Sequence, residues 1–234
     1  MRHPVTVPFT ADGELVITAD NSGAIGEKSQ DAVNAPNQVV GYYACRVAIM
    51  ECLAVGGEPQ TVVMHNFTND EAWHDYKSGL DQVMEELKMN TIPLTGSTES
   101  NVSSLQSGLG ITVIGTKTKQ EDQKQWTGEE AYAVIGTPLL GEEVIHQHEE
   151  IAPLWLFQHL CQLEEVKAVS TVGSKGIGST WREWTTSENK LTCELDVEKS
   201  AGPATCFLIA FDQTNTEKIK KIAGSYFHAL VPGR

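Results

Sequence analysis

Long apolar runs are missing from this sequence. No stretch stays apolar over the roughly 20 residues that a bilayer span needs, which excludes a membrane helix as the organising element. The start, Met1-Arg2-His3-Pro4, lacks the charged-then-apolar pattern of a leader, so the expected location is the cytoplasm. Basic side chains are scarce. The 234 residues hold 17 Lys and Arg against 31 Asp and Glu, a net charge of −14 at neutral pH. Binding to a phosphate backbone or an anionic lipid surface needs a basic patch, so no nucleic-acid partner and no membrane partner is expected. An anionic substrate remains possible where a divalent metal or a nearby lysine screens the charge. Cysteine is sparse and unpatterned. Cys45, Cys52, Cys161, Cys193 and Cys206 are odd in number with no Cys-x-x-Cys, which indicates neither a disulfide framework nor a zinc site.

What is present centres on Leu94 to Gly115. A short strand leads into Thr95-Gly96-Ser97-Thr98-Glu99-Ser100-Asn101, a loop of small hydroxyl residues around one glycine with a carboxylate at its tip. Gly108 to Gly115 returns as a β-branched strand. Backbone N–H groups in such a loop can face an anion and the carboxylate can hold a cation, which together suit a metal-bound phosphate. The same residues also make ordinary surface turns.

Residues 14–19 read as a buried strand delivering Asp20-Asn21-Ser22-Gly23-Ala24-Ile25-Gly26 to a loop, followed by Lys28 and Asp31. Residues 37–55 show helical spacing in Val40, Tyr43, Ala44, Val47, Met50 and Ala54, and Gly56-Gly57 stops the helix. Glu51, near its C-terminal end, has the wrong sign for the helix dipole and reads as a solvated surface residue. Residues 60–67 form a second buried strand with His65 and Asn66 at its end. Thr68-Asn69-Asp70-Glu71 resembles a capping box for a helix reaching Leu87. Thr118 to Gly128 is polar and charged, the expected linker between domains 1–117 and 130–234. Beyond it the pattern gives a strand at 131–135, a helix near 152–163 and a strand at 166–172. Gly173-Ser174-Lys175-Gly176-Ile177-Gly178-Ser179-Thr180 follows; Ser179 stands where a Walker A loop requires lysine, so that motif is rejected and a glycine-rich substrate or phosphate turn is expected instead. Strands near 190–195 and 204–211 and a helix from Thr216 complete the chain. His146-Gln147-His148-Glu149-Glu150 reads as a solvated helix edge before a metal site. The order of elements implies a mixed α/β, or α+β, fold with helices covering a sheet.

Three blocks resemble the aminoimidazole ribonucleotide synthetase-related ATP-binding superfamily. Thr18 to Gly26 is similar to its first strand and Asp-Gly loop. Val47 to Pro59, with Glu51 and then Gly56-Gly57-Glu58-Pro59, is similar to the helix that ends in an acid. Leu94-Thr95-Gly96-Ser97-Thr98-Glu99 with Gly108 to Gly115 is similar to its acidic glycine loop and returning strand. The resemblance implies an N-terminal ATP-binding domain and a smaller, shortened C-terminal α/β domain. It implies ATP and Mg²⁺ as cofactors, and a homodimer formed by sheet pairing. Asp20, Glu51 and Glu99 would be metal carboxylates, which reverses the surface reading of Glu51. Asp20, Asn21, Lys28, Ser97, Thr98, Glu99, Gly173, Lys175 and Gly176 would bind the nucleotide, and Lys28, Asp31 and His65 would be the catalytic candidates. Departures are visible: Asn21 and Ser22 stand where many members carry an acid or glycine, Ser97 replaces a glycine, and Glu99 lies one place late, so Thr98 competes as the equivalent. The first cysteine is inside a helix and the chain ends Val231-Pro232-Gly233-Arg234, unlike the branches that use terminal cysteines. The compact form most resembles α-ribazole kinases of cobalamin salvage. The resemblance therefore implies an ATP-dependent kinase with a nucleoside as substrate. Thiamine-monophosphate kinase-like or amide-activating chemistry, or a non-catalytic nucleotide-binding regulator, are the alternatives. Trp181 and Trp184 are candidates to stack on the acceptor's ring.

Overall fold

The computed structural model describes residues 4–118, 129–185 and 190–233. The chain divides into two compact units, Met1–Lys119 and Gln120–Arg234. The expected linker falls, from residue 119 onward, outside the described residues.

The first unit contains β1 (Val5–Pro8), β2 (Gly13–Gly23), β3 (Ile25–Gly26), β4 (Val33–Asn34), α1 (Asn37–Ala54), β5 (Glu58–Asn66), α2 (Ala72–Glu86), β6 (Leu94–Thr98) and β7 (Gly108–Thr118). Its main sheet has the order β1-β2-β7-β5-β6, antiparallel except for the β5–β6 pair. Strand alternation decides which residues are buried. Val16, Thr18 and Asp20 on β2, Leu109, Ile111 and Val113 on β7, and Val62, Met64 and Asn66 on β5 are all buried, and Thr18 Oγ1 donates to the Ala48 carbonyl of α1 at 2.7 Å. That face therefore meets the helices. α1 and α2 touch backbone to backbone because glycine faces the partner helix on both: a Cβ at Gly41 would lie 2.5 Å from the Tyr76 carbonyl oxygen, and one at Gly79 2.2 Å from that of Gln38.

The structure corrects two expectations. Asp20 to Gly23 is not a loop: β2 continues through it, paired with Gly108 to Ile111. Thr95 to Thr98 is likewise strand, because β6 pairs in parallel with β5, and Gly96 is needed there since a Cβ would sit 1.9 Å from the Met64 carbonyl oxygen. Turn-forming residues yield to the ladder when a partner strand is present. The capping at α2 also differs. Asn69 Oδ1 accepts from Ala72 N–H at 2.9 Å, whereas Thr68 Oγ1 turns inward to the Tyr76 hydroxyl at 2.7 Å.

The second unit contains β8 (Glu130–Ile135), α3 (Glu143–His146), α4 (Leu154–Gln162), β9 (Val166–Thr171), α5 (Gly176–Thr185), β10 (Leu191–Thr192), β11 (Phe207–Asp212), α6 (Thr216–Ala223) and β12 (Phe227–Pro232). Its sheet runs β10-β12-β8-β11-β9, antiparallel throughout. One core cluster joins Val134, Leu208 and Leu230 of the sheet to Ile177 and Trp181 of α5. Three glycines in its approach and first turn hide the helix α5 in the sequence. The fold is mixed α/β, with helices packed on sheets, as the pattern of elements implied.

Candidate functional site

The first unit's sheet has a second face, away from α1 and α2, and strand register assigns its rows. Antiparallel and parallel partners place Asn21, Gly110, His65 and Ser97 side by side across four strands. Neighbouring strands lie about 4.8 Å apart, so His65 and Ser97 are adjacent and Asn21 faces His65 across the gap at Gly110. Asn21, His65 and Ser97 are exposed. A Cβ on Gly110 would lie 3.6 Å from His65 Cβ and 3.9 Å from His65 Cδ2, so the glycine forms a shallow depression beside the imidazole. The rows below it grow apolar: Ala19, Thr112, Val63 and Thr95, then Ile17, Ile114 and Thr61. Val5 and Val7 of β1 continue the apolar zone and are both exposed.

The strand ends above the polar row are tied by a dense network. Asn66 is buried; its Nδ2 donates to the Asn69 carbonyl at 2.6 Å and to Thr98 Oγ1 at 3.2 Å, while its Oδ1 accepts from Thr68 N–H at 2.8 Å. Asp31 holds the far loop: Ser107 N–H donates to Oδ1 at 2.7 Å, and Ser107 Oγ and the Lys28 N–H donate to Oδ2 at 2.7 and 2.9 Å. Gly26 leaves room for this clamp, since a Cβ there would meet Ser107 Oγ at 2.4 Å. Lys28 Nζ donates to the Thr68 carbonyl at 2.7 Å and to the carbonyl and Oγ of Ser104 at 2.8 Å each. An ammonium has three donors, and all of them are used.

Several expected roles meet this geometry directly. Lys28 is occupied by loop oxygens and reaches a phosphate only by leaving them. Asp31 is poorly suited as a general base. Burial pushes its carboxyl up, but the hydrogen bonds from Ser107 and Lys28, with the Lys28 charge, outweigh this and hold it below its ordinary value. Glu99 projects outward, its Oε1 accepting from Asn101 and Val102 N–H at 2.8 and 3.3 Å, while Thr98 turns in to Asn66. Glu51 is buried, so the solvated-surface reading fails. The carboxylates expected to share a metal are not gathered. Asp20 on β2 and Glu51 on α1 are both buried, whereas Glu99 is exposed beyond the end of β6. Among the described residues no three His, Cys, Asp or Glu side chains group so as to hold a metal ion. A three-carboxylate magnesium centre does not fit this arrangement.

In the second unit, Gly173 and Lys175 are exposed and Gly176 opens α5 with φ 76°, where a Cβ would meet the Val197 carbonyl oxygen at 2.7 Å. The glycine at 176 therefore permits close backbone packing. Gly173 accepts from Gly176 and Ala201 N–H, which fixes the turn. Trp181 is buried in the core cluster and cannot stack on a ligand. His146, His148, Glu149 and Glu150 are exposed, His148 at 78 % of its side chain. Sequence reasoning missed Gly110, Thr68, Ser104 and Ser107. Gly110 carried a signal, a glycine at an outward position of a β-branched strand; Ser104 and Ser107 carried none, because each meets its partner 76 residues away.

No protein-family model and no curated protein matches the sequence. Solved structures do. HypE of E. coli, a hydrogenase maturation protein, superposes with TM-score 0.63 at 13 % identity over 94 % of this chain and 80 % of its own. The thiamine monophosphate kinase of Aquifex aeolicus gives 0.62 at 12 % over 98 % and 89 %. HypE in complex with ATP gives 0.62 at 11 % over 96 % and 78 %. The chain shares its fold with these proteins. Asn21, Gly110 and Ser97 of the polar row and Thr98 beside Asn66 lie in the segments that carried the sequence resemblance, whereas His65, Asn66, Lys28 and Asp31 lie outside them.

The Asp31 clamp gives a pH prediction. A carboxyl held below its unfolded value of 3.8 contributes stability that is fully present above that pH and is lost as pH falls below it. With solvent screening allowed for, Asp31→Asn is expected to lower stability by about 1 kcal/mol at neutral pH, with the difference from wild type shrinking below about pH 4. Urea unfolding of both proteins at pH 7 and pH 3 measures it; a difference unchanged with pH contradicts the clamp.

Proposed function

We propose that this protein binds ATP on the first unit and transfers its terminal phosphoryl group to the hydroxyl of a small molecule. The observation that carries the reading is the polar row Asn21, Gly110, His65 and Ser97, set at the rim of a sheet face whose next rows mix Ala, Val and Ile with Thr. The shared fold with HypE, solved with ATP, and with a thiamine monophosphate kinase supports it. Phosphoryl transfer asks mainly for alignment and charge neutralisation. Asn21 and Ser97 offer an amide and a hydroxyl to phosphate or ribose oxygens. His65 is the exposed imidazole of the row and the candidate to take the acceptor hydroxyl's proton. Gly110 leaves space for the ligand beside it. Magnesium would arrive on the nucleotide's phosphates and screen their charge. The rows below, with Val5 and Val7, are the surface for a homodimer; light scattering should give about twice 25.5 kDa at micromolar concentration, and a monomer mass would refute it.

For the acceptor we propose a neutral nucleoside, α-ribazole, phosphorylated at its 5′-hydroxyl. A chain with a net charge of −14 repels an acceptor that is already phosphorylated unless a basic pocket receives it. The competing reading is thiamine monophosphate, favoured by the kinase of the same fold. Purified protein with Mg-ATP and each acceptor in turn separates them by ADP release. Release with α-ribazole and none with thiamine monophosphate is expected; the reverse moves the protein to the second reading, and release with no acceptor overturns the kinase proposal.

A further inference from the structure

Lys28 has an unusual environment for a lysine in a chain so rich in acids. Its ammonium is held by neutral oxygens: the carbonyls of Thr68 and Ser104 and the hydroxyl of Ser104, at 2.7, 2.8 and 2.8 Å. The cage is itself braced. Ser104 Oγ lies 2.8 Å from the Phe67 and Gln106 carbonyl oxygens, and Gln106 Nε2 donates to the Gln30 carbonyl at 2.7 Å. Thr68 is held by Asn66 and Tyr76. Neutral carbonyl and hydroxyl oxygens converging on one positive centre are the chemistry by which proteins hold potassium or ammonium in place of its hydration shell. Here the positive centre is on a side chain, and it joins three segments, around residues 28, 68 and 104. The Asp31–Ser107 clamp adds a second tie between the first and third.

We infer that Lys28 is a tethered cation: its ammonium fills a monovalent-cation site formed by Thr68 O, Ser104 O and Ser104 Oγ, and through that site it positions the 99–107 loop above the polar row. Apolar burial does not hold this loop down, since Val102 and Leu105 are both 70 % exposed. Lys28 is thus a positioning residue for the loop that carries Glu99, whichever reaction the polar row performs.

Selective rescue by cations of matching size is a readout that a merely structural lysine would not give. The full chain with Lys28→Ala is compared with wild type by amide hydrogen exchange over residues 100–107 in choline, lithium, potassium and ammonium chloride at equal ionic strength. In choline or lithium the variant should exchange there about tenfold faster than wild type, with α1 and α2 unchanged. Ammonium or potassium should restore most of the protection, by binding only the ordered state. Wild type should show no such selectivity. Unchanged protection in choline overturns the inference, as does rescue that is absent or equal in every salt. Lys28→Met keeps the aliphatic stem and replaces the alanine variant should that one not fold. Failure of both to fold in choline with recovery in ammonium supports the site; failure in every salt overturns it.

Discussion

Trp181→Ala is expected to destabilise the second unit by about 3–5 kcal/mol and to act on turnover only through that loss. The indole is 2 % exposed and packs against Val134, Val172, Ile177, Leu208 and Leu230. Its ring meets Tyr132 edge-on, with centroids 6.4 Å apart and planes at 81°. Alanine would leave a cavity bounded by sheet strands and the helix that carries it, and a β-sheet wall cannot collapse far to fill it. One effect works the other way. The indole N–H has no hydrogen-bond partner among the described residues, so its removal also removes an unsatisfied donor. That places the loss toward the lower end of the range. The sequence suggests a ring-stacking role instead, with a raised Michaelis constant for the acceptor. Urea unfolding decides between them: stability within about 1 kcal/mol of wild type together with a raised Michaelis constant would return Trp181 to the ligand.

Gly110→Leu is expected to lower nucleotide turnover by at least about 100-fold while leaving the fold intact, an effect on the barrier near about 2.7 kcal/mol. The position is sterically permissive. A Cβ added there would come no closer than 3.6 Å to His65 Cβ, an ordinary contact, and its backbone is in a conformation open to other residues. Other glycines of this sheet differ sharply. At Gly96 a Cβ would sit 1.9 Å from the Met64 carbonyl oxygen, and at Gly115 2.6 Å from Cys52 Sγ, so substitution there damages the sheet or its helix contact. At Gly110 an added side chain covers the polar row, between Asn21 and His65, without breaking the ladder. Melting temperature, mass by light scattering and ADP release should be measured together. A variant that melts and assembles like wild type yet turns over normally would remove the open face from the site.

The elements of the first unit are legible in the sequence for different reasons: α2 carries a helical period and β7 an alternation, whereas α1, buried over most of its surface, and β5 read as apolar runs of helix and strand length. Their packing is not. Nothing in a single sequence says that Gly41 and Gly79 face each other across two helices. Asp20 to Gly23 and Thr95 to Thr98 read as loops because Asn, Ser, Gly and Thr favour turns; pairing with β7 and β5 overrides that preference. The same pairing sorts the candidate residues. Asp20 and Asn21 are neighbours in sequence but point to opposite faces, so a block that resembles one motif is divided between a buried carboxylate and an exposed amide. Lys28 and Asp31 stand out in the sequence as polar residues on a loop, and their geometry assigns them to loop architecture. Their partners at Ser104 and Ser107 cannot be read there, since hydroxyl residues in a serine-rich loop look alike until the chain closes.

The central claim is that the first unit holds a nucleotide on its helix-free face beside Gly110. Calorimetric titration of Mg-ATP into the wild-type protein, with Gly110→Leu run alongside, tests it most directly. The account predicts saturable binding to wild type and a loss of affinity of about 100-fold or more in the variant, with both proteins melting alike. Equal affinity in the two, or no heat of binding to wild type at millimolar Mg-ATP, would contradict it.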